Sequence, residues 1–150
     1  MRIIVDADAT PVAVKDILFR AAERRKVELI LFANSPIRHP ESPLISMMVV
    51  SSGPDEADDR IVEIVQNGDL VITADIPLAD RVIDKRGCVI SPRGDLLTSN
   101  NIKERLAMRD LMDQLRSGGI ETGGPPSFSQ KDRSAFANQL DAFFTRNKIK

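Results

Sequence analysis

The chain of 150 residues contains no Tyr and no Trp, and only six Phe. The aromatic platforms on which many single-strand binders stack bases are therefore scarce, and any polynucleotide contact must lean on charge and shape. Cys88 is the sole cysteine and His39 the sole histidine. This excludes an intramolecular disulfide framework, a Cys-based zinc cluster and a histidine-rich metal site. No apolar run approaches the ~18 residues of a membrane span. The amino terminus enters a strand-like segment without the basic, apolar, small-residue layout of a signal peptide. The expectation is a cytoplasmic protein with no membrane contact. Neither G-x-G-x-x-G nor G-x-x-x-x-G-K-[ST] occurs, so a nucleotide cofactor on a glycine-rich loop is unsupported. No internal repeat is present, and nothing in the sequence specifies an oligomeric state.

What is present suits one buried core: 42% of residues are hydrophobic and 29% charged, over a length that predicts a single domain across 1–150. Charge is polarised along the chain. Residues 1–80 carry 8 Lys and Arg against 14 Asp and Glu, net −6, whereas residues 81–150 carry 13 against 8, net +5. Such a division suits an acidic pocket beside a phosphate-receiving surface, and it equally suits solvated helix faces.

Arg2-Ile3-Ile4-Val5-Asp6 reads as a strand buried on both faces and ending at an acid. Thr10 and Pro11 look like an N-cap and a first helical residue, and Val14, Ile17, Leu18, Ala21 and Ala22 follow as one helical stripe. Further strands are predicted at Leu29 to Phe32, Met47 to Val50, Asp69 to Thr73 and Gly87 to Ser91. Asp55 can cap a helix bearing Ala57, Ile61, Ile64 and Val65, and Pro77 opens one bearing Leu78, Val82 and Ile83. This alternation predicts an α/β fold with an open, mostly parallel five-stranded sheet flanked by helices. A C-terminal helical extension begins at about residue 99: an amphipathic helix from Ser99 to Ser117, a Gly/Pro-rich stretch from Thr122 to Ser127, and a final helix opened by Ser129-x-x-Asp132. Cys88, inside the fifth strand, is read as a small buried apolar residue.

In open parallel sheets ligands collect beyond the carboxyl ends of the strands. Asp6 closes the first strand, Asp8 follows two residues later, and Asp75 follows the fourth. Asp58 and Asp59 lie in the first turn of a helix starting on the same side. The 100° step per residue puts Asp58 at the border of the buried face and Asp59 nearly opposite. Asp80 lies about a turn beyond Asp75. Three or four neighbouring carboxylates repel unless a cation neutralises them, and an all-oxygen set favours Mg²⁺ or Mn²⁺. Such a site suits phosphoryl chemistry. The competing reading makes these residues turn-formers and helix caps. Around them, Arg93, Lys103, Arg105, Arg109 and Arg116 are candidates for a basic wall receiving phosphates. The N–H groups of Gly123 and Gly124 are candidates for an anion site, in a loop that equally suits a plain hinge. Asn34 can orient a bound water or simply form a turn.

Two resemblances follow from these segments. Ile3-Ile4-Val5-Asp6-Ala7-Asp8-Ala9-Thr10 and Leu70-Val71-Ile72-Thr73 resemble the first two motifs of haloacid-dehalogenase-type phosphatases, which implies Asp6 as a nucleophile and Asp8 as a general acid/base. Beyond Lys85, however, Pro92-Arg93-Gly94-Asp95 does not supply that family's later acidic pair. The closer resemblance spans nearly the whole chain and is to the YaiI/YqxD family of bacterial proteins. It rests on Val5 to Val12, Ala57 to Val62, Gly68 to Ala79, Pro92-Arg93-Gly94, and Thr122 to Pro126 with Ala135 to Asn138. Thr10 stands where a common member has Cys, so no thiol role is implied there. That family is similar to PIN-like nuclease domains. The similarity implies a single PIN-like domain with Asp6, Asp58 and Asp75 as metal-holding catalytic residues and Thr73 as part of a strand-end Thr-x-Asp motif near the substrate; Asp8, Asp59 and Asp80 are then candidates for secondary metal ligands or water-positioning groups. RNA is the implied substrate; the other class of answer is a non-catalytic module binding RNA or protein.

Overall fold

Ile3, Ile4 and Val5 have no exposed surface, as expected of a central parallel strand covered on both faces. They form β1 (Arg2–Asp6), and around it a computed structural model describes residues 1–51, 53, 55–120 and 127–147. A 3-10 turn at Ala7–Ala9 follows, then α1 (Val12–Arg25). Here the structure corrects the predicted cap. Pro11, not Thr10, occupies the N-cap, because the turn draws Thr10 inward: its amide donates to Ala7 O and its hydroxyl to Asp6 O at 2.8 Å.

The chain continues through β2 (Glu28–Ala33), β3 (Ile45–Val49), α2 (Glu56–Ile64), β4 (Leu70–Ile72), α3 (Ile76–Asp84), β5 (Cys88–Ile90), β6 (Leu96–Leu97), α4 (Ile102–Ser117) and α5 (Gln130–Arg146). The sheet order is β3-β2-β1-β4-β5-β6, and every pairing is parallel except β5 with β6. The α/β sheet is thus mostly parallel, as the alternation of stripes predicts, with six strands where five were expected. Two residues of β6 are too few to show a period.

One face of the sheet is covered by α1 and α5, which contribute Val14, Leu18, Phe19, Phe136, Leu140, Phe143 and Phe144. The other face carries α2, α3 and the start of α4, through Ile61, Leu78, Val82 and Ile102. The last helix is therefore built into the core, and a capping box formed by Ser129 and Asp132 starts it. α4 begins at Ile102, later than the stripe suggests, and Ile102 is its one fully buried residue. The connection from β1 to β2 crosses one face and that from β3 to β4 the other. The carboxyl ends of β1 and β4 consequently flank the point where the chain diverges, which is where a parallel sheet leaves a crevice. Among the described residues no helix is long and apolar enough to cross a membrane.

Candidate functional site

At that crevice Asp6 ends β1 with 8% of its surface exposed, and Thr73, fully buried, follows β4. The Thr73 hydroxyl donates to Asp6 Oδ2 at 2.9 Å and accepts the Asp75 amide at 3.1 Å. One side chain thus ties the ends of two adjacent strands together. Asp75 is the N-cap of α3, with Oδ1 accepting from the Leu78 amide at 3.0 Å, and Pro77 completes the start of the helix. Its carboxylate is therefore held in one orientation at the head of α3.

Asp58, half-buried in the first turn of α2, faces this pair. Burial lifts its carboxyl to about 6; the charges of Asp75 and Asp6, a hydrogen bond with Asp75 and the charge of Asp55 add to the rise. The Asp6 carboxyl is also raised, by burial first and by the charges of Asp75 and Asp8, against the lowering effect of the Thr73 hydroxyl. Three acids from segments far apart in sequence therefore sense one another directly, and the Asp58 carboxyl keeps its proton to a higher pH than an ordinary aspartate, which reduces their repulsion in mildly acidic solution. Asp55 occupies the N-cap position of α2 in a left-handed conformation (φ 62°) and makes no side-chain cap bond, contrary to the role expected for it.

The other candidate carboxylates are engaged elsewhere. Asp8 Oδ2 accepts the Asn34 amide at 2.7 Å, so Asn34 meets the first loop through its backbone. Asp59 pairs with Arg81 at 2.9 Å on the exposed side of α2, and Asp80 with Lys103 at 3.0 Å. The basic wall is likewise committed. Arg93 pairs with Asp132 at 2.9 Å, Arg105 lies 3.8 Å from Asp95, Arg109 lies between Asp110 and Asp113, and Arg116 reaches Asp113. Gly123 and Gly124 lie outside the described residues. Lys85 sits at the end of α3 away from Asp75 and donates to Val62 O, so it brings no cation to Asp6 of the kind a phosphatase of that type carries.

A cavity of about 410 Å³ is bordered by Ala9, Ala74 and Ile76, near the ends of β1 and β4, and by Asp95, Arg105 and Phe128. Sequence reasoning overlooked Phe128. The available signal was its place immediately before the Ser129 N-cap, a position where an apolar residue folds back against its helix. Asp69, also overlooked, is 3% exposed. It fixes the other end of the sheet by accepting from the Arg2 amide and guanidinium and from the Gln66 amide. It is a structural aspartate. Cys88 packs against the core, and burial pushes its thiol up, which suits an inert role.

Comparison with known proteins places the chain in a family without adding a reaction. No solved structure matches the chain. The UPF0178 protein of Colwellia psychrerythraea is 57% identical over 148 residues, covering 99% of this chain and 98% of that protein. The UPF0178 protein of Syntrophotalea carbinolica is 56% identical over 147 residues, covering 98% and 99%. A family model described as "Uncharacterized BCR, YaiI/YqxD family" matches residues 4–146, and the chain belongs to that family.

Proposed function

We propose that the protein is a Mg²⁺- or Mn²⁺-dependent phosphodiesterase acting on RNA, with Asp6, Asp58 and Asp75 as its metal-holding residues. The observation that carries this reading is the mutual electrostatic coupling of those three carboxyls at the crevice between β1 and β4, with Asp58 lifted to about 6. Among the described residues no group of three or more His, Cys, Asp or Glu stands ready to hold a metal ion. The donor chemistry nevertheless fits a hard cation: all the ligands are carboxylate oxygens, and the hydrogen bond between Asp58 and Asp75 is an interaction that a divalent ion replaces. A bound ion supplies Lewis-acid polarisation of a phosphodiester and lowers the pKa of a water.

The chain's own residues set the rest. Thr73 fixes the orientation of Asp6, and the α3 amino terminus fixes Asp75. Asp58 gives up its proton only at about pH 6, because of its burial and the negative charges beside it. The adjoining cavity gives a ribose and base room to lie against Phe128, with Arg105 at its edge. Asp8, Asp59 and Asp80 take positioning roles, through the Asn34 loop, Arg81 and Lys103 respectively.

The test is Mn²⁺-dependent cleavage of a mixed RNA pool by the native chain, Asp6→Asn and Asp75→Asn, the last of which keeps a competent helix cap. Loss of roughly a hundredfold or more in both variants is expected. Equal cleavage by all three proteins would mean a contaminating nuclease and remove the assignment. Formation of a phosphoaspartate at Asp6 on exposure to an aryl phosphate would favour a phosphatase instead.

A further inference from the structure

The basic residues expected to receive phosphates are neutralised by carboxylates, whereas four of the cations without an ion pair gather along α1 and the segment after β2. Among the described residues Lys15, Arg20, Lys26 and Arg38 make no ion pair, whereas Arg81, Arg93, Lys103, Arg105, Arg109 and Arg116 all do. Those four border two cavities. One, of about 550 Å³, lies between the first half of α1 and the segment 37–40, with Lys15 and Arg38 on its rim and Phe19, Ile37 and Pro40 beneath. The second, of about 600 Å³, has Arg20, Arg24 and Lys26 on its edge. Phe19 and Pro40 line both, so the two are one groove along α1.

Three features of this groove point to the same occupant. Its charge is cationic: Lys15, Arg20, Lys26 and Arg38, with Arg24 shared with Asp141 at 3.7 Å, stand against the carboxylates of Asp16 and Glu23. It runs for about 20 Å, the length of α1 at 1.5 Å per residue, which fits a linear polyanion better than a compact one. Its upper end reaches the loop that follows Asp6, because Lys15 Nζ donates to the carbonyl oxygen of Ala7 at 3.4 Å. Apolar side chains form the floor, including Val12, whose surface is 69% exposed. A cationic rim over an apolar floor accommodates a single strand, with phosphates at the rim and base faces below.

We infer that the groove between α1 and segment 37–40 binds the single-stranded RNA flanking the phosphodiester presented to Asp6, Asp58 and Asp75. The identity of the strand rests on the nuclease reading given above; the groove itself does not. The test is fluorescence anisotropy in EDTA, with a fluorescein-labelled single-stranded RNA of about ten nucleotides, across a series of salt concentrations. The proteins are the native chain, the double variant Lys15→Gln/Arg38→Gln, the charge-keeping Lys15→Arg, and Arg86→Gln at the opposite end of the sheet. The double variant is expected to bind roughly tenfold more weakly and to lose about 1.4 from the slope of log affinity against log salt, ~0.7 for each phosphate contact removed. Lys15→Arg and Arg86→Gln are expected to match the native chain.

An unchanged slope and affinity in the double variant, with its native thermal unfolding, would overturn the groove assignment. So would displacement of the RNA by polyglutamate at an equal concentration of charges. Mn²⁺-dependent cleavage of the same RNA, run in parallel, separates the two claims. Cleavage without groove-dependent binding removes the groove alone, and groove-dependent binding without cleavage removes the nuclease alone.

Discussion

Thr73 has no exposed surface, yet it serves two acids at once by donating to Asp6 Oδ2 and accepting from the Asp75 amide. Replacement by Val keeps the shape and strips both partners of their bond. The buried Asp6 carboxylate then loses the hydroxyl that favours its charged form. Thr73→Val is expected to cost about 1–3 kcal/mol in urea unfolding, whereas Thr73→Ser should remain close to native. Asp58 gives a second prediction at this scale. Its folded pKa of about 6 exceeds the ordinary 3.8, so the folded chain binds that proton more tightly than the unfolded one. The resulting stability is complete below the ordinary value and is lost as pH rises through about 6. In EDTA the native melting temperature should therefore fall between about pH 4 and about pH 7, and Asp58→Asn should flatten that fall and melt higher at the upper pH.

Sequence carried much of the acid cluster: the strand ends placed Asp6 and Asp75, and the helical step put Asp58 ahead of Asp59. It could not separate Asp8, Asp59 and Asp80 from those three, because their partners, the Asn34 amide, Arg81 and Lys103, come from elements whose proximity only folding creates.

At the scale of elements, the Pro92-Arg93-Gly94 turn illustrates how a motif can mislead. It follows β5 at the crevice side, which suggested phosphate capture. In the fold it clasps α5: Arg93 pairs with Asp132, and Gly94 O accepts from the Gln139 amide group at 3.1 Å. Gly94 has a φ of +93°, and a side chain there would meet the Ala135 carbonyl carbon at 2.6 Å and its oxygen at 2.7 Å. This is backbone against backbone, which cannot step aside. Gly94→Ala is expected to cost about 3 kcal/mol through the clash and the left-handed conformation together. Because α5 supplies Phe136, Leu140, Phe143 and Phe144 to the core, denaturant unfolding should register the loss as a lower midpoint. An unchanged midpoint would show that α5 is not held through this turn. The strands and helical stripes were legible because burial repeats at their own period. β6 and the start of α1 were not, since the first is two residues long and the second depends on where the Thr10 hydroxyl turns.

Across the whole molecule, the division of charge read from the sequence has a different meaning once folded. The carboxyl-terminal half is net positive, but the arginines expected to form a basic wall there are paired with carboxylates, whereas Lys15, Arg20, Lys26 and Arg38, in the half that is net negative overall, make no ion pair among the described residues. Acid cluster and cationic groove sit on opposite sides of one loop, Asp6 to Thr10, joined by Lys15 reaching Ala7. Net charge along a chain reports composition, whereas a site depends on which charges remain unopposed in space.

The central claim is that Asp6, Asp58 and Asp75 act as one cation-binding unit. Its most direct test is a calorimetric titration of Mn²⁺ into the native chain and into Asp6→Asn, Asp58→Asn and Asp75→Asn at neutral pH. The account predicts saturable binding to the native chain and a loss of roughly tenfold or more in each variant. Absence of Mn²⁺ binding to the native protein, or equal binding by all four, would contradict it.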